Sequence, residues 1–289
     1  MKKSEFTVAE PQLLLDFLLA AYPNSSRSRV KELLAHSVYV DGRRTTHFNF
    51  PLHPGMKVSI ENATAADRLR PRDLDIVYED RHLFVVDKHH GLLSSSTHPA
   101  DKTVITLLNQ YLEATHQRCH AHVVHRLDRD TSGLMLVGKS KDIARQLEAD
   151  WKATVFDRRY VAVAWGHLDP PTGEIRSWLT DGDYCVLSSP TDNGGKLAIT
   201  HYRVLQTSRR YSLVELRLDT GRRNQIRVHL RQLQHPIVHD PLYGYTDDLS
   251  PIPRLALHAF RLCFIHPATG QRLKFETPTP EAFLRLMEL

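Results

Sequence analysis

Two carboxylates and two arginines crowd into five consecutive positions, Arg126-Leu127-Asp128-Arg129-Asp130. An aspartate beside arginines is held ionised, because opposite charge favours its charged form. Val123 and Val124 before this stretch, and Leu134-Met135-Leu136-Val137 after it, read as two short buried strands. The polar segment between them ends at Gly133 and reads as a loop. A loop held between two buried strands is a rigid mount for functional groups, and an ionised carboxylate is such a group. The plainer reading is a solvated charged turn, which composition alone favours.

A second group lies at Gly221-Arg222-Arg223-Asn224-Gln225-Ile226-Arg227-Val228-His229. As a helix it would carry Ile226, Leu230 and Leu233 on one stripe and Arg223, Arg227 and Arg231 on another. An arginine stripe is either a solvated face or a phosphate-binding surface. His116, Cys119, His120, His122 and His125 form a third cluster. Its spacing matches no common zinc framework, and there is no second cysteine pair. With 18 histidines in the chain, we read it as incidental. No dinucleotide fingerprint or P-loop is present. The segment His125-Arg126-Leu127-Asp128 lacks the Gly-rich loop and Asp-Phe-Gly that a kinase needs.

These groups must be mounted on a scaffold, and the rest of the chain suggests which. Its 289 residues suffice for one or two domains with sizeable cores. The net charge of +5 and pI of about 9.1 favour a polyanionic partner, nucleic acid above all. Three widely spaced cysteines make no disulfide framework, which points to a reducing compartment. The run Leu13 to Leu19 is too short, and too interrupted by Asp16, to span a membrane. It reads as an amphipathic helix, and the cytoplasm is the expected location.

Residues 1–62 read as a small α+β domain: that helix, a second over Arg27 to Ala35, then strands at Val38–Val40 and Met56–Ile60. Residues 63–72 are small and charged, and read as a linker. Residues 73–289 mix strands with a few helices, which fits an α+β domain built on mainly antiparallel sheet. There Ile143, Leu147 and Trp151 are spaced four apart, as on the buried stripe of a helix capped near Ser140. Tyr160 to Trp165 and Ser212 to Asp219 read as strands, and the tail around Gly270 as a hairpin.

The segment His125-Arg126-Leu127-Asp128, two further residues, then Thr131-Ser132-Gly133 resembles the signature of the RluA family of pseudouridine synthases, which rearrange uridine in RNA. Further stretches carry the same resemblance. Asp157-Arg158-Arg159-Tyr160 resembles the family's active-site tyrosine segment, and Gly221 to His229 its second signature, with Asn224 where His is usual. Leu255-Ala256-Leu257-His258-Ala259 is similar to its Leu-His-Ala element. Two other family segments depart at single positions: His89 stands where Pro is usual and His239 where Gly is common.

The resemblance implies a pseudouridine synthase catalytic domain with no cofactor or metal. It assigns Asp128 as the nucleophile, Tyr160 as a pocket residue against the uracil ring, and Arg227 as the partner of Asp128. It further implies Arg126, Leu257, Thr131, Arg222 and Asn224 as substrate-binding residues. The first domain resembles the alpha-L RNA-binding module, with Arg27, Arg29, Lys31, Arg43 and Arg44 as its RNA contacts. The expected partner is RNA, ribosomal ahead of transfer RNA, bound by a monomer. A non-catalytic RNA-binding protein on the same scaffold is the rival reading.

Overall fold

Runs of β-branched and other apolar residues pair into two main sheets. The structure is a computed structural model and describes residues 3–23, 25–27, 30–31, 34, 38–45, 47–61, 71, 73–245 and 250–289. It divides into two compact units, Met1–Arg70 and Pro71–Leu289.

The smaller unit holds β1 (Lys3–Thr7), β2 (Gln12–Leu13), α1 (Leu14–Ala21), β3 (Val38–Val40), β4 (Arg43–Arg44), β5 (Pro51–Leu52) and β6 (Lys57–Glu61). Four of its strands form an antiparallel sheet in the order β1-β6-β3-β4. Helix α1 buries Leu14, Leu15 and Leu18 in its core. Arg27, Val30, Lys31 and Leu34 are helical, with Val30 and Leu34 buried and the two basic residues exposed. The remainder of that expected helix, Arg29 included, lies outside the described residues, as does the expected linker apart from Pro71. Arg43 and Arg44 form β4, but their side chains lie outside the described residues as well.

The larger unit runs β7 (Leu74–Glu79), β8 (Leu83–Lys88), α2 (Val104–Ala114), β9 (His122–Val123), β10 (Ser132–Gly138), α3 (Lys141–Ala149), α4 (Trp151–Thr154) and β11 (Val155–Trp165). It continues through β12 (Thr172–Asp181), β13 (Val186–Ser189), β14 (Lys196–Thr207), β15 (Tyr211–Leu218), α5 (Gln225–Gln232), β16 (Leu257–Ile265), β17 (Arg272–Glu276) and α6 (Glu281–Leu286). The sheet order is β13-β12-β14-β15-β11-β16-β10-β8-β7, with β17 paired to β16 and β9 to β10. The fold is therefore α+β, on a mixed and mainly antiparallel sheet. Among the named strands of the described residues, only β10 and β16 pair in parallel, through Ser132 with His258 and Gly133 with Ala259. Gly133 is required there: at φ +120°, an added Cβ would lie 2.3 Å from the Ala259 carbonyl oxygen.

Two details depart from the sequence reading. Helix α3 does start at a Ser140 cap, but it ends at Ala149. Trp151 opens the separate turn α4, so it packs with Ile143 and Leu147 against one apolar cluster but does not belong to α3. The period of four simply carries on across a break at Asp150. Helix α2 was not anticipated, although Thr103 and Thr106 form a reciprocal capping box at its start.

Candidate active site

A cleft of about 900 Å³ opens in the larger unit. Asp128, Tyr160, Arg227, Arg126, Leu257, Thr131, Arg222 and Asn224 all line it. They come from four places: the loop between β9 and β10, strand β11, the start of α5, and the start of β16.

The Asp128 loop is pinned by its backbone. Ser94 Oγ donates to the Leu127 carbonyl at 2.6 Å and accepts from the Leu127 N–H at 3.0 Å. The buried Lys88 ammonium donates to the carbonyls of Arg129 (2.9 Å), Leu92 (2.8 Å) and His89 (3.1 Å). Burial pushes the Lys88 ammonium down to about 8, against the pull of Asp130 and Asp128. Behind the loop, His125 Nε2 accepts the Leu136 N–H at 2.9 Å. Burial drives this imidazole down to about 3, with Arg158 adding to the effect, so His125 is neutral.

Asp128 is half-buried, and its side chain makes no hydrogen bond or ion pair among the described residues. Burial pushes its carboxyl up, while Arg227, Arg126, Lys88 and Arg223 pull it down. The net direction is upward, opposite to what the neighbouring arginines alone would give. Tyr160 is buried, and burial raises its phenol, with Arg158 opposing and Asp128 assisting. Its hydroxyl likewise has no protein partner among the described residues. Pairing of β11 with β16 sets Ala162 opposite Leu257, which brings Leu257 to the cleft beside Tyr160.

Arg227 does not pair with Asp128, as the sequence reading expected. Its Nε and Nη2 donate to the two oxygens of Asp240 at 2.8 and 2.7 Å. The Asp240 side chain is fully buried and also accepts the N–H groups of Leu242 and Tyr243, both at 2.9 Å. A guanidinium buried on helix α5 needs a desolvated carboxylate at fork distance, and Asp240 meets that need where Asp128 does not. Arg227 acts on Asp128 through its charge instead. Sequence reasoning missed Asp240, because its partner is thirteen positions away across a turn.

Asn224 joins the same network. It accepts from Arg227 Nη1 at 3.0 Å and donates to the Tyr243 hydroxyl at 3.2 Å. It adopts φ +53°, a left-handed conformation that asparagine tolerates. His239 has φ +55°, which explains why glycine suits that position. Arg222 is exposed and donates to the Leu197 carbonyl at 3.1 Å. Arg126 is exposed at the cleft, and Thr131 is buried with its N–H on the Asp128 carbonyl at 3.2 Å. The expected arginine stripe on α5 does not form: Arg227 is buried, Arg223 pairs with Asp181 at 3.0 Å, and Arg231 lies over the Tyr245 ring.

The cleft thus joins an accessible carboxylate to an apolar wall, an aromatic ring and surrounding positive charge. Such a site suits a flat polar ring carried on an anionic backbone. Comparisons with known proteins agree. Residues 82–232 match the family model of RNA pseudouridylate synthase. The chain is 35% identical to the ribosomal large subunit pseudouridine synthase D of Pseudomonas aeruginosa, over 93% of this chain and 88% of that one. It is 34% identical to the protein of the same name in Escherichia coli strain K12, over 98% of this chain and 93% of the other. It is 33% identical to an uncharacterized RNA pseudouridine synthase of Bacillus subtilis, over 100% and 98% of the two chains. Among solved structures, human RNA pseudouridylate synthase domain containing 1 superposes with a TM-score of 0.59 at 26% identity, covering 76% of this chain and 87% of its own. The chain belongs to the RNA pseudouridylate synthase family and is an RNA pseudouridine synthase.

Proposed function

We propose that this enzyme isomerises uridines of large-subunit ribosomal RNA, with Asp128 as the covalent nucleophile. One observation carries the assignment of Asp128. Its carboxylate faces a cleft amid four cationic side chains, yet no protein donor among the described residues occupies it. It is thereby left for the substrate. The ribosomal target is supported by the names of the Pseudomonas and Escherichia relatives, which align along nearly the whole chain.

On this reading, the target uridine leaves its stack at a cost of a few kcal/mol and enters the cleft. Arg126, exposed next to the nucleophile, fills the vacated place. Tyr160 and Leu257 hold the uracil ring between an aromatic and an apolar face. Asp128 forms a covalent bond to the nucleotide; the bond from uracil nitrogen to the ribose breaks, and the ring turns and joins the ribose through carbon. That carbon gives up its proton as the nitrogen regains one, and the bond to Asp128 breaks to free the carboxylate. Arg227 is a positioning residue: it braces Asn224 and supports Asp128 at a distance. Thr131 holds the loop, and Arg222 meets the backbone of the RNA.

The smaller unit is read as an alpha-L RNA-binding domain that grips phosphates through Arg27 and Lys31, joined by Arg29, Arg43 and Arg44. The enzyme acts in the cytoplasm as a monomer without cofactor or metal. Among the described residues, no helix is long and apolar enough to cross a membrane. The test is to map pseudouridines in RNA from cells with and without the protein. Loss confined to large-subunit ribosomal RNA is expected; loss in transfer RNA alone would overturn the target.

A further inference from the structure

The cleft exceeds what one uridine requires. At about 900 Å³ it sits near the top of the roughly 300–1,000 Å³ range that houses a drug-sized ligand. Part of its lining belongs neither to the Asp128 loop nor to α5. It comes from the junction of α3 and α4, with Glu148, Asp150 and Trp151, and from Arg158 on β11.

There the side chains are assembled in sequence. The rings of His125 and Trp151 lie 4.7 Å apart at a 43° tilt. The Arg158 guanidinium lies 5.4 Å from the centre of the Trp151 ring. His125 is locked at the base, because Nε2 accepts the Leu136 N–H. Its buried Nδ1 has no hydrogen-bond partner among the described residues.

Arg158 is the end of this assembly that lines the cleft. It is half-buried, and among the described residues it makes neither an ion pair nor a hydrogen bond. Its neighbour Arg159 is satisfied by Asp157 at 2.9 Å and Glu215 at 3.0 Å. A guanidinium has five N–H donors on a flat plane with two faces; here Trp151 lies beside one face, and the donors make no hydrogen bond among the described residues. RNA-binding proteins use such faces to stack unpaired bases. Glu148 and Asp150 line the same stretch and repel phosphates, so the base rather than the backbone is the better ligand.

We infer that Arg158, seated on Trp151, forms a second nucleotide subsite that stacks on the unpaired base next to the target uridine in the same strand. This rests on the reading of the Asp128 cleft as the uridine site. It makes sequence context around the target something the larger unit reads directly.

The probe is a short single-stranded RNA centred on a uridine that the wild-type protein modifies. Three versions are compared: intact, with an abasic nucleotide on the 5′ side, and with one on the 3′ side. Binding and single-turnover pseudouridine formation are measured for wild type, Arg158→Lys and Trp151→Phe. Loss of one stacked base should weaken wild-type binding about tenfold, for one of the two abasic RNAs. Arg158→Lys keeps the charge but loses the plane. It should bind the intact RNA about tenfold more weakly and show no further loss with that abasic RNA. Trp151→Phe keeps a ring under the guanidinium and should retain most of the abasic penalty. An equal abasic penalty in wild type and Arg158→Lys overturns the subsite, as does no penalty on either side in wild type. If the wild-type protein forms pseudouridine in no RNA, the uridine reading of the cleft falls and the subsite with it; the first two results leave that reading intact.

Discussion

Asp128 is held between two opposing effects: burial favours its neutral form, and the cations around it favour the charged one. Because burial wins, its carboxyl titrates above the 3.8 of an ordinary aspartate. In the proposed role of nucleophile Asp128 must be ionised, so single-turnover kcat/KM should fall as pH drops through a value above that ordinary one. Arg126→Ala removes one of the opposing cations and should move this limb to still higher pH. A limb that stays put, or moves downward, would remove the cations from the argument. Asp128→Asn should abolish pseudouridine formation while leaving RNA affinity within about twofold; turnover within tenfold of wild type would sink the nucleophile. Arg227 makes a different prediction, because its fork belongs to Asp240. Arg227→Met leaves the Asp240 carboxylate buried without its cation, which typically costs about 3–5 kcal/mol of stability. Combining it with Asp240→Asn should recover much of that loss in urea melts. If the two changes add instead, the pair is not the unit that holds this end of α5. The Asp128 motif was legible in sequence because its chemistry sits within nine consecutive positions. The Arg227–Asp240 pair was not, because only the tertiary turn after α5 decides which carboxylate a buried arginine meets.

At the scale of elements, the short parallel junction of β10 and β16 decides whether the cleft exists. It lets Leu257 stand beside the Asp128 loop, and Gly133 makes the approach possible. Gly133→Ala would drive a methyl group into the Ala259 backbone, whose oxygen, nitrogen and carbon lie 2.3–2.7 Å from the Cβ position. It also forces a φ of +120° on a residue with a side chain. We expect a loss of several degrees in Tm together with lost activity, read by thermal melts and turnover. A variant that melts and turns over like wild type would show that the junction tolerates opening. Strands with strong local signals were legible: β10, β15 and the β16–β17 hairpin fall where apolar runs, alternation or turn residues put them, and β11 contains the strand read from Tyr160 but starts earlier, at Val155. The parallel pairing was not, because Ser132 and His258 lie 126 positions apart and nothing local marks them as neighbours. Trp151 shows the converse error, in which a helical spacing of four persists although the helix has stopped.

For the whole molecule, the two units predict a division of labour. The residues proposed for chemistry all follow Pro71, whereas the proposed phosphate contacts other than Arg222 precede it. A chain starting at Asp73 carries its own core and should fold alone. Its turnover at saturating RNA should match the full chain, its affinity for structured RNA should fall, and its binding should depend less steeply on salt. Single-turnover kinetics at two salt concentrations check this. A lower saturating rate with unchanged affinity and salt slope would make the smaller unit part of the catalytic apparatus instead.

The β10–β16 junction also bears on when the enzyme becomes one. A chain leaves the ribosome from its N-terminus at about 5–20 residues per second. The Asp128 loop, β11 and α5 are therefore all synthesised before the strand that seats Leu257 and Ala259. Until that strand arrives, β10 lacks its parallel neighbour and the cleft lacks a wall. Pairings so distant in sequence also form slowly, because a long loop must close first. A nascent chain already exposes its basic N-terminal residues while Asp128, the proposed nucleophile, remains unframed. If the smaller unit grips RNA as proposed, attachment precedes catalytic competence by most of the length of the chain, and a protein cut short before Leu257 would bind without reacting.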